Sequence, residues 1–203
     1  MAPYPERSLY THIYASKLAL DVENRRLYYI EYMQKEISFV NIDNSQRSIV
    51  KYFYGVESPI ENIQVYPLSR SLYLMDRFQL ILQYYDNKTE TKIPGFKRGC
   101  DAFSIDHAYQ RLLWIVVSRQ TLVWTGLMGE DPIEVKMSEA KLNKPQTYSW
   151  NNRIYITDHT TNYLQIYNCS GELMERLNST SQRVHFNEFT SLLFVPEHIY
   201  RNV

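Results

Sequence analysis

Four side chains with oxygen donors lie near the ends of predicted innermost strands: Glu61, Asn62, Asp106 and Asn151. Carboxylate and amide oxygens are the ligands that a calcium-like ion takes in proteins. Asn and Asp also stabilise turns, because their side chains hydrogen-bond to nearby backbone groups. We favour this second interpretation for all four positions, since an isolated residue of these types has little specificity. No metal and no cofactor is therefore assigned.

The motifs that position catalytic groups in the common enzyme classes are absent from the sequence. It contains no G-x-S-x-G, no H-E-x-x-H, no C-x-x-C and no Gly-rich phosphate loop. Their absence counts against those classes, although catalytic groups scattered over a fold would leave no motif. We assign no catalytic residue and expect a protein that is not an enzyme.

Cysteines and glycosylation triplets bear on the compartment. Cys100 and Cys169 fall in different predicted units and could form one disulfide or stay free, and we favour free thiols. Three N-x-[S/T] triplets begin at Asn87, Asn168 and Asn178, in or near predicted turns. Such triplets are N-glycosylation acceptors in secreted proteins, so they favour an extracellular glycoprotein.

Charge and hydropathy limit the classes of partner. The 203 residues carry 22 basic and 22 acidic side chains, so there is no global positive field and nucleic acid is not expected as a main partner. No run approaches the roughly 18 apolar residues that a membrane helix needs. The first residues lack the apolar core of a signal peptide, and we expect a fragment of a larger protein.

The elements that would position these residues repeat along the chain. Strand-like apolar runs align at Leu27, Leu72, Leu112 and Ile154, with spacings of 45, 40 and 42 residues. A repeat near this length, made only of strand-like segments, indicates the blades of a β-propeller. No helical stripe longer than two turns is present. The predicted fold class is all-β.

Each predicted blade has four antiparallel strands joined by short turns. The predicted units of the single domain 1–203 are residues 18–58, 59–98, 99–138 and 139–180. The run 112–117 is apolar throughout, as expected for an inner strand that neighbouring blades bury on both faces. Two further strand-like runs, 8–14 and 190–195, lie near the ends and could pair into a partial blade, because an unpaired sheet edge invites aggregation.

A four-residue signature connects this repeat to a known family. The segment Tyr155-Ile156-Thr157-Asp158 keeps three of the four positions of the YWTD signature. In each unit, some residues match the signature either exactly or by residue type. They are Tyr28 and Glu31 in the first unit, Tyr73 and Asp76 in the second, Trp114 in the third, and Tyr155, Thr157 and Asp158 in the fourth. The repeat therefore resembles the YWTD (class B) repeat of the low-density lipoprotein receptor family, which also occurs in nidogen.

The resemblance implies an architecture and a role. Members of the family close a ring of six blades, so these four blades with their terminal strands would be part of such a ring. The implied function is that of a protein-binding or spacer module in an extracellular or cell-surface receptor, with a role in endocytosis. Its partners would be a protein ligand or neighbouring domains. We expect the carboxylates of Asp76 and Asp158 to accept hydrogen bonds from turn or neighbouring-blade amides and so tie blades together.

Histidines could make such a module sensitive to acid. In the receptor family, propeller histidines take part in acid-triggered ligand release. By resemblance, His107 and His159, each beside an Asp at a strand end, are candidates to titrate between about pH 5 and 7. The alternative, which we favour, is that both are ordinary exposed histidines in turns.

Two further questions stay open from the sequence. Five aromatic residues could serve either as binding hot spots or as blade core, and we favour the core for each of them: Trp114, Trp124, Tyr148, Trp150 and Tyr155. Some six-bladed propellers are metal-dependent lactonases or esterases, so a calcium-dependent hydrolase that uses the four oxygen donors is the alternative function.

Overall fold

The computed structural model describes residues 15–31, 35–52, 60–85, 89–94, 100–138, 142–143, 145–158 and 163–178. Within these ranges the chain forms sixteen β-strands and two single-turn 3-10 helices. The strands form four sheets, and in each sheet four strands pair in chain order. All the pairs are antiparallel. The predicted all-β fold of four-stranded antiparallel blades is confirmed.

The strand bounds follow one pattern in every blade. Blade 1 consists of β1 (Ala15–Asp21), β2 (Arg26–Glu31), β3 (Glu36–Asn41) and β4 (Arg47–Tyr52). Blade 2 consists of β5 (Asn62–Tyr66), β6 (Ser71–Met75), β7 (Leu80–Tyr84) and β8 (Glu90–Lys92). Blade 3 consists of β9 (Ala102–Asp106), β10 (Arg111–Val116), β11 (Thr121–Gly126) and β12 (Ile133–Lys136). Blade 4 consists of β13 (Gln146–Trp150), β14 (Arg153–Thr157), β15 (Tyr163–Asn168) and β16 (Leu173–Asn178).

The inner strands explain the continuous apolar run of the sequence. In β10, Leu112 and Trp114 pack into the core between blades 2 and 3. The alternate residues Leu113 and Ile115 pack into the core between blades 3 and 4. Because successive side chains of a strand point to opposite faces, a strand buried on both sides must be apolar at every position.

Consecutive blades pack face to face about the first strand of each blade. The strands β1, β5, β9 and β13 are neighbours in that order. Each of the three interfaces contains its own apolar cluster, including Ile30 and Leu74 between blades 1 and 2, and Ile115 and Ile156 between blades 3 and 4. Within the described residues, β13 and β1 do not pack against each other as the consecutive pairs do.

The turns between the first and second strands define one end of the propeller, which we call the hairpin face (residues 22–25, 67–70, 107–110 and 151–152). The residue just before the second strand has a positive φ in every blade: Arg25 (51°), Arg70 (50°), Gln110 (51°) and Asn152 (60°). Non-Gly residues adopt this left-handed conformation at a cost, so strand pairing must hold these turns in place. The opposite end, which has the turns between the second and third strands, is the connection face.

Several predicted features lie outside the described residues. They are the terminal runs 8–14 and 190–195, the triplet residue Asn87, and His159. The six-bladed ring stays a prediction.

Candidate interaction surface on the hairpin face

The four residues whose side-chain oxygens could bind a metal ion, Glu61, Asn62, Asp106 and Asn151, do not form one site. Asn62 begins β5, where its Nδ2 donates to the carbonyl of Phe103 (3.5 Å), whereas Asp106 ends β9 on the opposite face of the propeller. Glu61 and Asn151 are exposed, the first just before β5 and the second in the hairpin turn of blade 4. In the part of the chain that the structure describes, no three His, Cys, Asp or Glu side chains are grouped so that they could hold a metal ion.

The carboxylates of the family signature bind backbone amides. Asp76 Oδ1 accepts hydrogen bonds from the amides of Phe78 (2.7 Å) and Gln79 (2.9 Å), which lie in the next turn of the same blade. Asp158 accepts from the amide of Asn143, in the segment between blades 3 and 4. The Asp76 bonds lie within one blade, while the Asp158 bond reaches the connection between two.

The other six signature residues are all packed inside the fold. They are Tyr28, Glu31, Tyr73, Trp114, Tyr155 and Thr157. The hydroxyl of Tyr73 donates to the carbonyl of Leu127 (3.1 Å), which joins blade 2 to blade 3. Glu31 forms an ion pair with Arg47 inside blade 1 (3.4 Å). The signature in this chain therefore stabilises blades and does not form an exposed site.

Arg111 is held rigidly on the hairpin face of blade 3. Its Nε and Nη2 both donate to Oδ2 of the buried Asp106 (3.1 and 3.0 Å). Its guanidinium carbon lies 3.9 Å from the ring centroid of Trp124 and 4.8 Å from that of Tyr109. Stacking on two aromatic rings while pairing with a carboxylate is a property of the planar guanidinium that a lysine cannot reproduce.

The same guanidinium reaches blade 4. Nη2 of Arg111 lies 3.4 Å from Oδ1 of Asn152 and 3.4 Å from Sγ of Cys169. Asn152 in turn donates from Nδ2 to the hydroxyl of Tyr109 (2.6 Å). These bonds fix the two neighbouring hairpin turns, 107–110 and 151–152, relative to each other.

Large apolar side chains are exposed around this network. Tyr109 is 53% exposed and Trp150 is 46% exposed, and Leu68 and Met128 are exposed on the same face. Trp150 pairs across its hairpin with Arg153, which is exposed. Exposed aromatic rings beside cationic and amide groups are the composition of a protein-binding surface.

The five aromatic residues considered from the sequence divide between core and surface. Trp114, Trp124 and Tyr155 are buried, and Tyr148 is half-buried against the cluster of Tyr155, Leu164 and Ile166. Only Trp150 of these five is exposed, so the favoured core interpretation is wrong for this residue.

His107 lies in the hairpin turn of blade 3, and its ring stacks on that of Tyr66 (centroids 5.7 Å apart, planes at 24°). The residue as a whole is exposed, although its ring is covered on one side by Tyr66. Burial lowers the pKa of His107, and the adjacent Asp106 carboxylate opposes the shift. A charged His107 therefore requires a more acidic solution than an unperturbed histidine does.

Neither cysteine forms a disulfide, as favoured from the sequence. Cys100 is buried, in the core between blades 2 and 3, and Cys169 lies in the last turn of blade 4. Of the glycosylation candidates, Asn178 ends β16. Asn168 uses its side chain locally, because Nδ2 donates to Glu172 Oε2 (2.8 Å) and Oδ1 accepts from two turn amides.

The sequence reasoning missed the Arg111 network. Neither Arg111 nor Tyr109 was considered there as a candidate binding residue. One signal was present: an arginine begins the second strand in three blades, at Arg26, Arg111 and Arg153. The spacing alone could not show which of these arginines pairs with a buried carboxylate.

Comparison with known proteins supports the fold. No protein-family model matches the chain, and no curated protein matches it. A solved structure of a nidogen/laminin complex is similar with a TM-score of 0.64 and 16% identity over 81% of this chain and 64% of that chain. An auxiliary nutrient binding protein from Bacteroides thetaiotaomicron gives a TM-score of 0.61 at 11% identity, over 81% of this chain and 41% of that one. A protein of unknown function from the same organism also gives 0.61, at 12% identity over 80% and 43%.

These likenesses concern the fold alone, because the identities are low. The chain spans less than two thirds of the length of each of these structures. In addition, no helix among the described residues is long and apolar enough to cross a membrane.

Proposed function

We propose that this chain is a non-enzymatic, protein-binding β-propeller module of an extracellular or cell-surface protein, and that the hairpin face of blades 3 and 4 takes part in recognition. The observation that carries the proposal is the exposure of Trp150 (46%) and Tyr109 (53%) on turns that Arg111 holds together. Trp and Tyr are enriched at binding hot spots, and rigid presentation reduces the entropy lost on association.

The surroundings of the two rings indicate which groups a partner would offer. Arg153 is exposed opposite Trp150 and has no ion pair within the described residues, whereas Arg111 is already paired with Asp106. A partner with an apolar contact for Trp150 and a carboxylate or carbonyl near Arg153 would match both. Asn151 is also exposed and could contribute hydrogen bonds at the rim.

The comparisons suggest where to look for a partner. A chain in a solved structure of a nidogen/laminin complex is similar in fold to this chain, so laminin is a reasonable first probe for binding. The resemblance of residues 155–158 to the YWTD signature extends the proposal to a glycosylated receptor with a role in endocytosis. For the alternative, a calcium-dependent hydrolase, the structure offers no grouped ligand set in the described ranges.

A binding panel followed by footprinting tests the proposal. The purified chain is passed over immobilised extracellular proteins that include laminin, and a complex with any binder is examined by hydrogen exchange. We expect saturable binding of a panel member and protection of amides at residues 107–110 and 150–153. Absence of binding across the panel, or protection restricted to connection-face residues such as 76–79 and 117–120, would contradict the proposal.

A further inference from the structure

Three buried hydroxyl groups near the centre of the propeller have no hydrogen-bond partner among the residues that the structure describes. They belong to Ser104 on β9 and to Thr147 and Ser149 on β13, which are 0%, 4% and 2% exposed. A buried hydroxyl that makes no hydrogen bond is costly, because it has lost its interactions with water. Folded proteins rarely keep such groups without a partner, so three of them on two adjacent strands require an explanation.

All three hydroxyls face the same interface. Thr147 and Ser149 pair with Ile156 and Ile154, and both isoleucines lie in the core between blades 3 and 4. Directly paired residues share a face of the sheet, so Thr147 and Ser149 face blade 3. Ser104 pairs with Leu113, which lies in the same core, so Ser104 faces blade 4. Since β9 and β13 pack against each other, the hydroxyls line one interface near its inner edge.

The hydroxyl pair on β13 is specific to blade 4. Equivalent residues of the first strands can be found from their partners on the second strands. By this criterion Ser149 is equivalent to Val65 of blade 2 and to Ile105 of blade 3. Two residues earlier in each strand, Thr147 aligns with Ile63 and Phe103. The four equivalent residues in blades 2 and 3 are apolar and buried in the preceding interface. Blade 4 therefore has smaller, polar side chains where its neighbours have large apolar ones.

We propose that the interface between blades 3 and 4 contains a buried binding site for ordered water, held by Ser104, Thr147 and Ser149. Each hydroxyl can donate one hydrogen bond and accept others, which matches the two to four polar partners that an internal water requires. The substitution of small side chains for large ones supplies room.

A crystal structure of the whole chain at high resolution, with two variants, tests this site. In the wild type we expect a discrete water peak within hydrogen-bond distance of at least two of the three hydroxyls. Thr147→Val keeps the side-chain shape but removes one partner, and we expect it to weaken or remove this peak and to lower Tm by about 2–4 °C. Ser149→Ala should act similarly, and the double variant should lose less stability than the two single losses together, because both hydroxyls bind the same water.

Three results would overturn the inference. One is a wild-type map in which the interface is dry. Another is a map in which the three hydroxyls bond to each other or to backbone groups. The last is a rise in Tm for Thr147→Val, because removing a hydroxyl that truly lacks a partner relieves its desolvation cost. The wild-type map decides the question even if a variant fails to fold. Thr121→Val is the matched control, since the buried hydroxyl of Thr121 donates to the Arg119 carbonyl (3.1 Å). Thr121 lies on β11, where it pairs with Lys136 of β12, and the site lies on β9 and β13.

Discussion

The hydroxyl of Tyr85 donates to Oδ2 of Asp21 at 3.0 Å and so joins blade 2 to blade 1. Asp21 is fully buried at the end of β1, and it also accepts from the backbone amide (3.0 Å) and side chain (2.9 Å) of Asn24. The ring of Tyr85 stacks on that of Tyr28 (centroids 5.6 Å apart). One carboxylate therefore fixes a turn of its own blade and the position of the next blade.

Removing this hydroxyl should loosen the contact between the two blades. Tyr85→Phe keeps the stacked ring but deletes a hydrogen bond to a buried carboxylate, and such bonds contribute about 1.5–3 kcal/mol. We expect the free energy of unfolding in urea to fall by about that amount. Tyr84→Phe is the control, because Tyr84 is the preceding residue of the chain and is half-buried, as Tyr85 is. Equal effects of the two substitutions would show that the Asp21 bond is unimportant.

Buried tyrosines should make the fold sensitive to alkali. Burial raises the pKa of six tyrosines: Tyr28, Tyr29, Tyr66, Tyr73, Tyr85 and Tyr148. The folded state keeps protons that the unfolded state loses above about pH 10, so the free energy of unfolding should fall as the pH rises past that value. Urea titrations at a series of pH values, with tyrosinate absorbance as a second signal, measure this. Stability that does not change from about pH 9 to 11 would contradict the prediction.

Arg111 should be far more important for stability than the arginine at the same position of blade 4. Arg111→Ala leaves Asp106 buried without its cation, which typically costs about 3–5 kcal/mol, and removes both aromatic contacts. Arg153→Ala is the matched control, since an exposed residue with no ion pair among the described residues should change stability by about 0.5 kcal/mol or less. Chemical denaturation of both variants compares the two. A loss for Arg111→Ala no larger than that of the control would refute the role given to this network.

The signature carboxylate of blade 4 should act in folding and not in a reaction. Asp158→Ala removes the acceptor for the Asn143 amide, and we expect a loss of about 1–3 kcal/mol, measured by thermal or urea unfolding. Asp43→Ala serves as control, because Asp43 is exposed and its pair with Arg25 lies at the surface. An unchanged Tm for Asp158→Ala would show that our account of the signature is wrong.

The architecture could be predicted from sequence because it depends on a local, repeated pattern. Leu27, Leu72, Leu112 and Ile154 each lie in the second strand of a blade, and all four second strands pair on both sides. Boundaries were harder where side chains compete for backbone groups. The apolar run from Phe78 suggests a strand, but β7 begins at Leu80, because Asp76 binds the amides of residues 78 and 79.

The candidate surface could be predicted only in part. Trp150 was among the candidates, but its sequence neighbourhood does not distinguish it from buried residues such as Trp114. Exposure depends on which face of which strand meets another blade, and that depends on tertiary packing. The contacts of Arg111 with Asn152 and Cys169 span 41 and 58 residues of sequence, so no local pattern indicates them.

The most direct test of the central claim compares two exposed aromatic residues at opposite ends of the propeller. Trp150 lies on the hairpin face and is 46% exposed, while Phe78 lies on the connection face and is 47% exposed. The measurement is the Kd of the panel binder for wild type, Trp150→Ala and Phe78→Ala, each shown by circular dichroism to be folded. A hot-spot truncation costs at least about 2 kcal/mol, so we predict a Kd about 30-fold or more weaker for Trp150→Ala and nearly unchanged for Phe78→Ala. A Trp150→Ala variant that binds as tightly as wild type would contradict the account.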